Sequence, residues 1–248
     1  MDKSFIEKLY PSTKFIFILL VILIAILSKN YLVNYSFYIM YFVLALMAKK
    51  SKEFNGIILK VILPLIIIIN LMQLFFYPGN EVLFSLGPIA AKKEGLEYGL
   101  LLTSRLVAVG SSFIWFFRVT KIKDIVVAME NRGLGKKGSY VVLSTLQMIE
   151  DLKKQSQVIM DAQKTRGIEV EGGLIHRIKA FVPTLGPLIM SSIANTEEKA
   201  ITLESRGLSM KVVRSRIYKL NKTKFDSTIQ IILIVGMILV IGEKIWSF

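Results

Sequence analysis

The chain of 248 residues has no cysteine, one histidine and six prolines. Without Cys there is no disulfide scaffold, no thiol nucleophile, no iron–sulfur cluster and no thiolate zinc site. His176 alone cannot build a histidine-rich metal site. Acidic residues are scarce as well: 18 Asp and Glu face 32 Lys and Arg, a formal charge of +14. The hydrophobic content, 53%, excludes disorder. A mean hydropathy of +0.56 beside so large a basic excess does not suit a soluble globular domain. A membrane protein with a basic non-membrane portion fits both.

A helix needs roughly 20 mostly apolar residues to cross the hydrocarbon core. Five runs come near this: Phe15 to Leu27, Tyr31 to Met47, Ile57 to Phe76 with Pro64 inside it, Leu96 to Phe117, and Ile229 to Ile241. The first follows Lys3, Lys8 and Lys14 and resembles the apolar part of a signal peptide, but no small-x-small cleavage site follows it. Basic residues mark the cytoplasmic side. Lys49, Lys50 and Lys52 follow the second run, and Arg118, Lys121 and Lys123 follow the fourth. These clusters share one side if the N-terminus is cytoplasmic and the chain crosses five times. The loop Tyr77 to Gly95, with Lys92 and Lys93, is then the exception on the outer side.

The expected architecture is all-α: a polytopic helical membrane protein of about five spans. Residues 1–117 form an N-terminal bundle of four spans, 118–225 a long cytoplasmic or interfacial helical segment, and 226–248 a C-terminal transmembrane helix. The segment Arg118 to Phe225 holds 20 of the basic and 10 of the acidic residues, a net +10. Within it, Ile122, Ile125, Val126 and Met129 recur at helical spacing. From Ser139 to Arg166 there is no Pro or Gly, and Val142, Leu146, Ile149, Leu152 and Ile159 repeat on a helical period. A third periodic run spans Leu188 to Arg206. Leu174 to Ile193 is apolar, but Pro183, Gly186 and Pro187 interrupt any helix there, and both flanks are basic. It reads as a broken helix at the membrane surface or packed beneath the spans.

Three of these helices end alike, at Arg132-Gly133, Arg166-Gly167 and Arg206-Gly207. Gly after a helix takes the left-handed conformation without a Cβ clash, and Arg in the last turn suits the helix dipole, so ordinary caps explain each one singly. Repetition adds a second reading. A cation on a helix tip can enter a groove of another protein and bind carboxylates or carbonyls in bidentate fashion. Two such tips suit two similar partner subunits.

Other signals carry less. Gly133-Leu134-Gly135-Lys136-Lys137-Gly138 spells G-x-G-x-x-G but follows a helix, and Ser139 stands where a nucleotide-binding loop needs Lys, so no cofactor or nucleotide site is expected. Arg105, inside the fourth run, is read as facing the bundle and pairing with a polar group or a backbone carbonyl. Glu150-Asp151 and Glu197-Glu198 are adjacent on helices and do not share a face. Lys211, Arg214, Arg216, Lys219, Lys222 and Lys224 form a basic run next to the last span. That position favours anionic lipid over nucleic acid as the partner, as a membrane-surface anchor.

The chain resembles the transmembrane components of energy-coupling-factor transporters, the EcfT/CbiQ family, from about Leu9 to Gly207. The resemblance is carried by Leu9-Tyr10-Pro11-Ser12-Thr13-Lys14, by Gly99 to Arg105, by Asn131 to Gly135 and by the two paired tips. In the family the tips read Ala-Arg-Gly; here they are Thr165-Arg166-Gly167 and Ser205-Arg206-Gly207, a small hydroxyl residue replacing Ala each time. The resemblance implies a non-catalytic scaffold in a prokaryotic cell membrane. Two cytoplasmic ABC ATPase subunits would hydrolyse ATP, and a separate S component, a small membrane protein, would capture a vitamin or metal ion. The tips imply the ATPase contacts, at the ends of long coupling helices. The helix faces bearing Ser144, Ser156, Ser191, Ser192 and Ala194 imply the S-component platform. Two other readings stand beside it: a membrane-embedded enzyme, for which only Arg105 qualifies as an intramembrane residue, and a conventional ABC permease with its own substrate path.

Overall fold

Each of the five apolar runs folds as a helix. A backbone in lipid must satisfy its own N–H and C=O groups, and a helix does so within one segment. The computed structural model describes residues 6, 9–79, 81–86, 89–167, 173–210, 218, 220 and 222–246. The helices are α1 (Pro11–Leu27), α2 (Tyr31–Met47), α3 (Ser51–Phe76), α4 (Lys93–Val119), α5 (Ile122–Glu130), α6 (Lys136–Thr165), α7 (Leu174–Ser205) and α8 (Lys224–Trp246). Helices α3, α4 and α8 are long and apolar enough to cross a membrane. Helices α1 and α2 have 17 residues each, about 26 Å at the helical rise. The fold is that of a polytopic helical membrane protein.

By its contacts the chain divides into two units, residues 1–132 with 220–248, and residues 133–219. In the first unit α4 packs against α1, α2 and α3, while α8 lies on α1 and α5 on α1. From Gly95 to Ser112 the buried side of α4 is, apart from Val107, small or hydroxylic: Gly95, Gly99, Thr103, Ser104, Ala108, Ser111 and Ser112. Two stripes at four-residue spacing emerge, Gly95-Gly99-Thr103 and Ser104-Ala108-Ser112. Such stripes let membrane helices approach closely, which replaces the hydrophobic drive that lipid cannot supply. A Cβ at Gly99 would lie 3.0 Å from Asn70 Oδ1 and 3.2 Å from Gln73 Cβ on α3.

The hydroxyls on α4 first satisfy themselves. Thr103 donates to the Gly99 carbonyl at 2.7 Å and Ser112 to the Ala108 carbonyl at 2.6 Å. Neighbouring helices then bond to them. Asn34 Nδ2 donates to Ser104 Oγ at 3.2 Å, Asn70 Nδ2 to Thr103 Oγ1 at 3.3 Å, and Tyr35 OH lies 3.1 Å from Thr103 Oγ1. Arg105 donates from Nη2 to the Ser28 carbonyl at 3.1 Å, the backbone pairing expected for it. The opposite half of this unit is aromatic: Phe17, Tyr41 and Trp115 from α1, α2 and α4 meet with centroids 5.5 to 6.1 Å apart.

One expectation is corrected. Pro183 and Pro187 do not break the helix: α7 runs through both for 32 residues. The prolines are four apart, so the lost N–H groups fall on one side, and long stretches on either flank propagate the helix past them. Thr184, fully buried between them, donates its hydroxyl to the Phe181 carbonyl at 2.6 Å. In α3, a π-helical turn at Ile58–Ile62 comes just before Pro64 and takes up the irregularity, so that helix also continues. The loop between α3 and α4 has regular structure of its own. It holds an antiparallel hairpin, β1 (Val82–Leu86) and β2 (Ile89–Lys92), with Leu86 opposite Ile89 and a bulge between Val82 and Phe84.

Candidate functional site: two arginine-bearing helix tips

The second unit is built on α6 and α7. Helix α6 has 30 residues, about 45 Å of axis. Its half-buried positions include Leu146, Leu152, Gln155 and Ile159, while Val142 and Ile149 are exposed. Gln155 Nε2 donates to Ser191 Oγ, and Lys199 Nζ lies 3.6 Å from Asp151 Oδ2. These contacts advance along α6 and retreat along α7, so the helices cross antiparallel. A cavity of about 410 Å³ opens at the crossing, lined by Met148, Leu152, Ser192 and Asn195 among others.

From this crossing the two tips diverge. Arg166 lies about 16 Å along the axis beyond Gln155, and Arg206 about 22 Å beyond Ser191. The tips share one geometry. Arg166 has φ −86° and ψ 8°, Arg206 φ −83° and ψ 7°. Gly167 and Gly207 follow at φ +85° and +74°, a conformation in which any Cβ would be strained. The Gly167 N–H bonds the Lys164 carbonyl at 3.0 Å, and the Gly207 N–H bonds the Glu204 carbonyl at 2.8 Å. At the second tip Leu208 N–H also reaches the Leu203 carbonyl at 2.9 Å, completing a Schellman motif.

The hydroxyl residues repeat this likeness. Thr165 donates to the Ala162 carbonyl at 2.8 Å, and Ser205 to the Thr202 carbonyl at 2.9 Å. Each hydroxyl folds back on its own helix, so the surface beside the Arg is as small as the substitution for Ala requires. Arg166 and Arg206 are exposed, and neither side chain makes a hydrogen bond or ion pair among the described residues.

The third ending differs, against the expectation that all three are alike. Helix α5 is capped by Asn131 at φ −65°, and Gly133, at φ +114°, stands one position later than the glycines of the tips. Asn131 instead donates from Nδ2 to Tyr10 OH at 3.3 Å. The reason is local: Asn131 interposes a capping residue before Arg132, which shifts Gly133 out of register.

The other predicted residues are placed as follows. Ser144, Ser156, Ser191 and Ser192 are half-buried and Ala194 is exposed. Ser191 and Ser192 face the crossing, where Ser191 accepts from Gln155. Of the basic run, Lys211, Arg214, Arg216 and Lys219 lie outside the described residues, Lys222 is exposed, and Lys224 opens α8. Glu150, Asp151, Glu197 and Glu198 are exposed. Among the described residues no group of three His, Cys, Asp or Glu stands ready to hold a metal ion.

The small-residue stripes of α4 were missed by a reading based on hydropathy. The four-residue spacing of Gly95, Gly99 and Thr103 was the available signal.

Known proteins align with almost the whole chain. The family model described as CbiQ, cobalt transport protein, matches residues 2–216. The energy-coupling factor transporter transmembrane protein EcfT of Streptococcus equi is 31% identical over 245 residues, covering 94% of this chain and 89% of the relative. EcfT of Macrococcus caseolyticus is 26% identical over 253 residues, covering 98% and 95%. EcfT of Leuconostoc gelidum is 29% identical over 256 residues, covering 98% and 94%. With paired tips, an apolar helical bundle and matches of this extent, the chain belongs to the EcfT/CbiQ family of energy-coupling-factor transmembrane components.

Proposed function

We propose that the chain is the scaffold subunit of an energy-coupling-factor importer. Two cytoplasmic ATPase subunits hydrolyse ATP, and α6 and α7 carry their motion to an S component that delivers a vitamin or a metal ion. The supporting observation is the pair of matched tips, each with an exposed Arg at a helix end whose side chain has no partner among the described residues. Thr165, Arg166 and Gly167 dock on one ATPase, and Ser205, Arg206 and Gly207 on the other. The bidentate geometry of guanidinium suits a groove lined by carboxylates or helix-end carbonyls. The small residues Ser144, Ser156 and Ala194, with Ser191 and Ser192 at the crossing, belong to the S-component platform.

The chain itself performs no catalysis on this reading. Arg105, the charge weighed as an intramembrane catalytic candidate, donates to a backbone carbonyl, which supports a structural role. Co-expression with two ATPases and an S component is expected to yield a four-subunit complex that takes up solute into liposomes only with ATP. Solute uptake by the chain and its ATPases without any S component would instead make it a conventional permease.

The basic run holds the re-entry of the chain at the cytoplasmic leaflet, with the N-terminus on the same side. Each Lys or Arg near anionic lipid contributes about 1 kcal/mol. Replacing Lys211, Arg214, Arg216, Lys219, Lys222 and Lys224 with Gln is expected to mix the orientations of α8 and weaken association with anionic vesicles. Labelling of cysteines introduced at either end of α8 reads the first effect, and vesicle flotation reads the second. Unchanged topology and flotation would remove the anchor role.

A further inference from the structure

We propose that Tyr10 and Asp226 form a clasp that holds both roots of the coupling segment on the membrane bundle, and that this clasp sets how much ATPase-driven motion reaches the S component. The inference rests on the coupling role proposed above.

Residues 133–219 join the bundle at two roots, one ending at residue 132 and the other starting at residue 220. At the first root Asn131, the cap of α5, donates from Nδ2 to Tyr10 OH at 3.3 Å. At the second root the Thr223 N–H donates to Asp226 Oδ2 at 3.1 Å. The other oxygen of that carboxylate, Oδ1, accepts the Tyr10 N–H at 3.0 Å. Tyr10 therefore reaches both roots, one through its hydroxyl and one through its backbone by way of Asp226.

The arrangement has a physical origin. Thr223 immediately precedes α8 and Asp226 lies in its first turn, so the carboxylate reaches back as in a capping box. The oxygen left over takes the N–H of Tyr10, the residue before α1. Both donors sit at helix starts, where the helix has no carbonyl to offer them. Asp226 is 3% exposed and Tyr10 4%. A carboxylate so buried persists because it is hydrogen-bonded on both oxygens. Farther along the same two helices Gln230 Nε2 donates to Thr13 Oγ1 at 2.9 Å, which keeps α8 alongside α1. The Leu9 to Lys14 segment, singled out in the sequence as a family signature, thus does more than start a helix.

A lever transmits force only when its attachment is stiff. With the clasp closed, displacement of the tips moves α6 and α7 as a body. With it loosened, the roots absorb the displacement.

The test uses the complete transporter with its ATPases and S component, reconstituted in liposomes. Tyr10→Phe removes one hydroxyl, and Asp226→Asn leaves one acceptor where there were two. Each is expected to keep subunit stoichiometry and ATP hydrolysis while lowering uptake per ATP about fivefold, the effect of one net hydrogen bond. Because the chain has no Cys, Arg132→Cys with Lys222→Cys places spin labels on both exposed roots. The distance distribution between them is expected to broaden in both clasp variants. Unchanged uptake per ATP, an unchanged distance distribution, or uptake and hydrolysis falling in proportion would each overturn the clasp. If Asp226→Asn does not assemble, Tyr10→Phe decides by the same readouts. Failure of the coupling role itself shows differently, as absence of the ATPases from the purified unaltered chain.

Discussion

Reversing both tip charges, Arg166→Glu together with Arg206→Glu, is expected to abolish co-purification with the ATPase pair while membrane insertion is retained. Both residues are exposed ends of helices, and neither has a partner among the described residues to leave stranded inside this chain. The folded chain should therefore tolerate the change. A partner groove that matches guanidinium would not tolerate it. Removing one member of a buried charge pair at an interface costs about 2–5 kcal/mol, and a Glu facing carboxylates adds repulsion. Two such losses multiply, so the assembly constant is expected to fall by at least about a thousandfold. Single reversals should leave a partial complex held by the other tip. Arg132→Glu is the control: it is exposed too, but its helix ends in a different geometry and gives no matched tip. Affinity purification followed by subunit quantification reads the result. Retained assembly in the double variant would remove the tips from the coupling role.

The parts of the molecule that were legible in the sequence are those that obey a local rule. Lipid forces backbone satisfaction within each segment, so α2 occupies the span read from its apolar run and α1, α3, α4 and α8 extend past theirs by only a few residues at most ends. Gly167 and Gly207 were legible because a helix end at positive φ selects glycine almost regardless of context. Gly133 shows the limit of that rule, since one extra capping residue, Asn131, changes the geometry without changing the Arg-Gly pair. Pro183 and Pro187 misled for a related reason. A local breaker was weighed alone, whereas 32 residues of helix outweigh it. The clasp lay beyond any local rule, because Tyr10 and Asp226 are 216 residues apart. The stripes on α4 were hidden by hydropathy, which counts Gly, Ser and Thr as neutral although in lipid they decide which helices touch.

Those stripes carry the second large expectation. Gly95→Ala should destabilise the bundle far more than its one added carbon suggests. The new Cβ would collide with the Gln73 carbonyl oxygen on α3, and it would lie 3.1 Å from the Gln73 carbonyl carbon and 3.2 Å from Tyr77 Cβ. A backbone carbonyl cannot swing aside as a side chain does, so α3 itself must move away from α4. That movement pulls Asn70 from Thr103, a contact already at 3.3 Å, and parts the stacked rings of Tyr77 and Tyr98. Overpacking of this kind costs about 1–3 kcal/mol, and Gly95→Val should reach or exceed the upper value. Gly99→Ala is expected to be milder, because its nearest contact, at 3.0 Å, is the side-chain oxygen Asn70 Oδ1, which can yield by tenths of an ångström, and Gln73 Cβ at 3.2 Å is a looser approach than the Gln73 carbonyl oxygen facing Gly95. Gly56→Ala supplies the opposite sign. It also lies in α3, but nothing stands within 4 Å of its Cβ, so helix propensity alone acts and favours Ala by up to about 1 kcal/mol. Thermal unfolding in detergent, followed by size-exclusion chromatography, should rank the variants as Gly56→Ala above the unaltered chain, then Gly99→Ala, then Gly95→Ala, then Gly95→Val. A melting point for Gly95→Ala equal to that of Gly56→Ala would mean that the close approach of α3 and α4 contributes nothing to holding the bundle together.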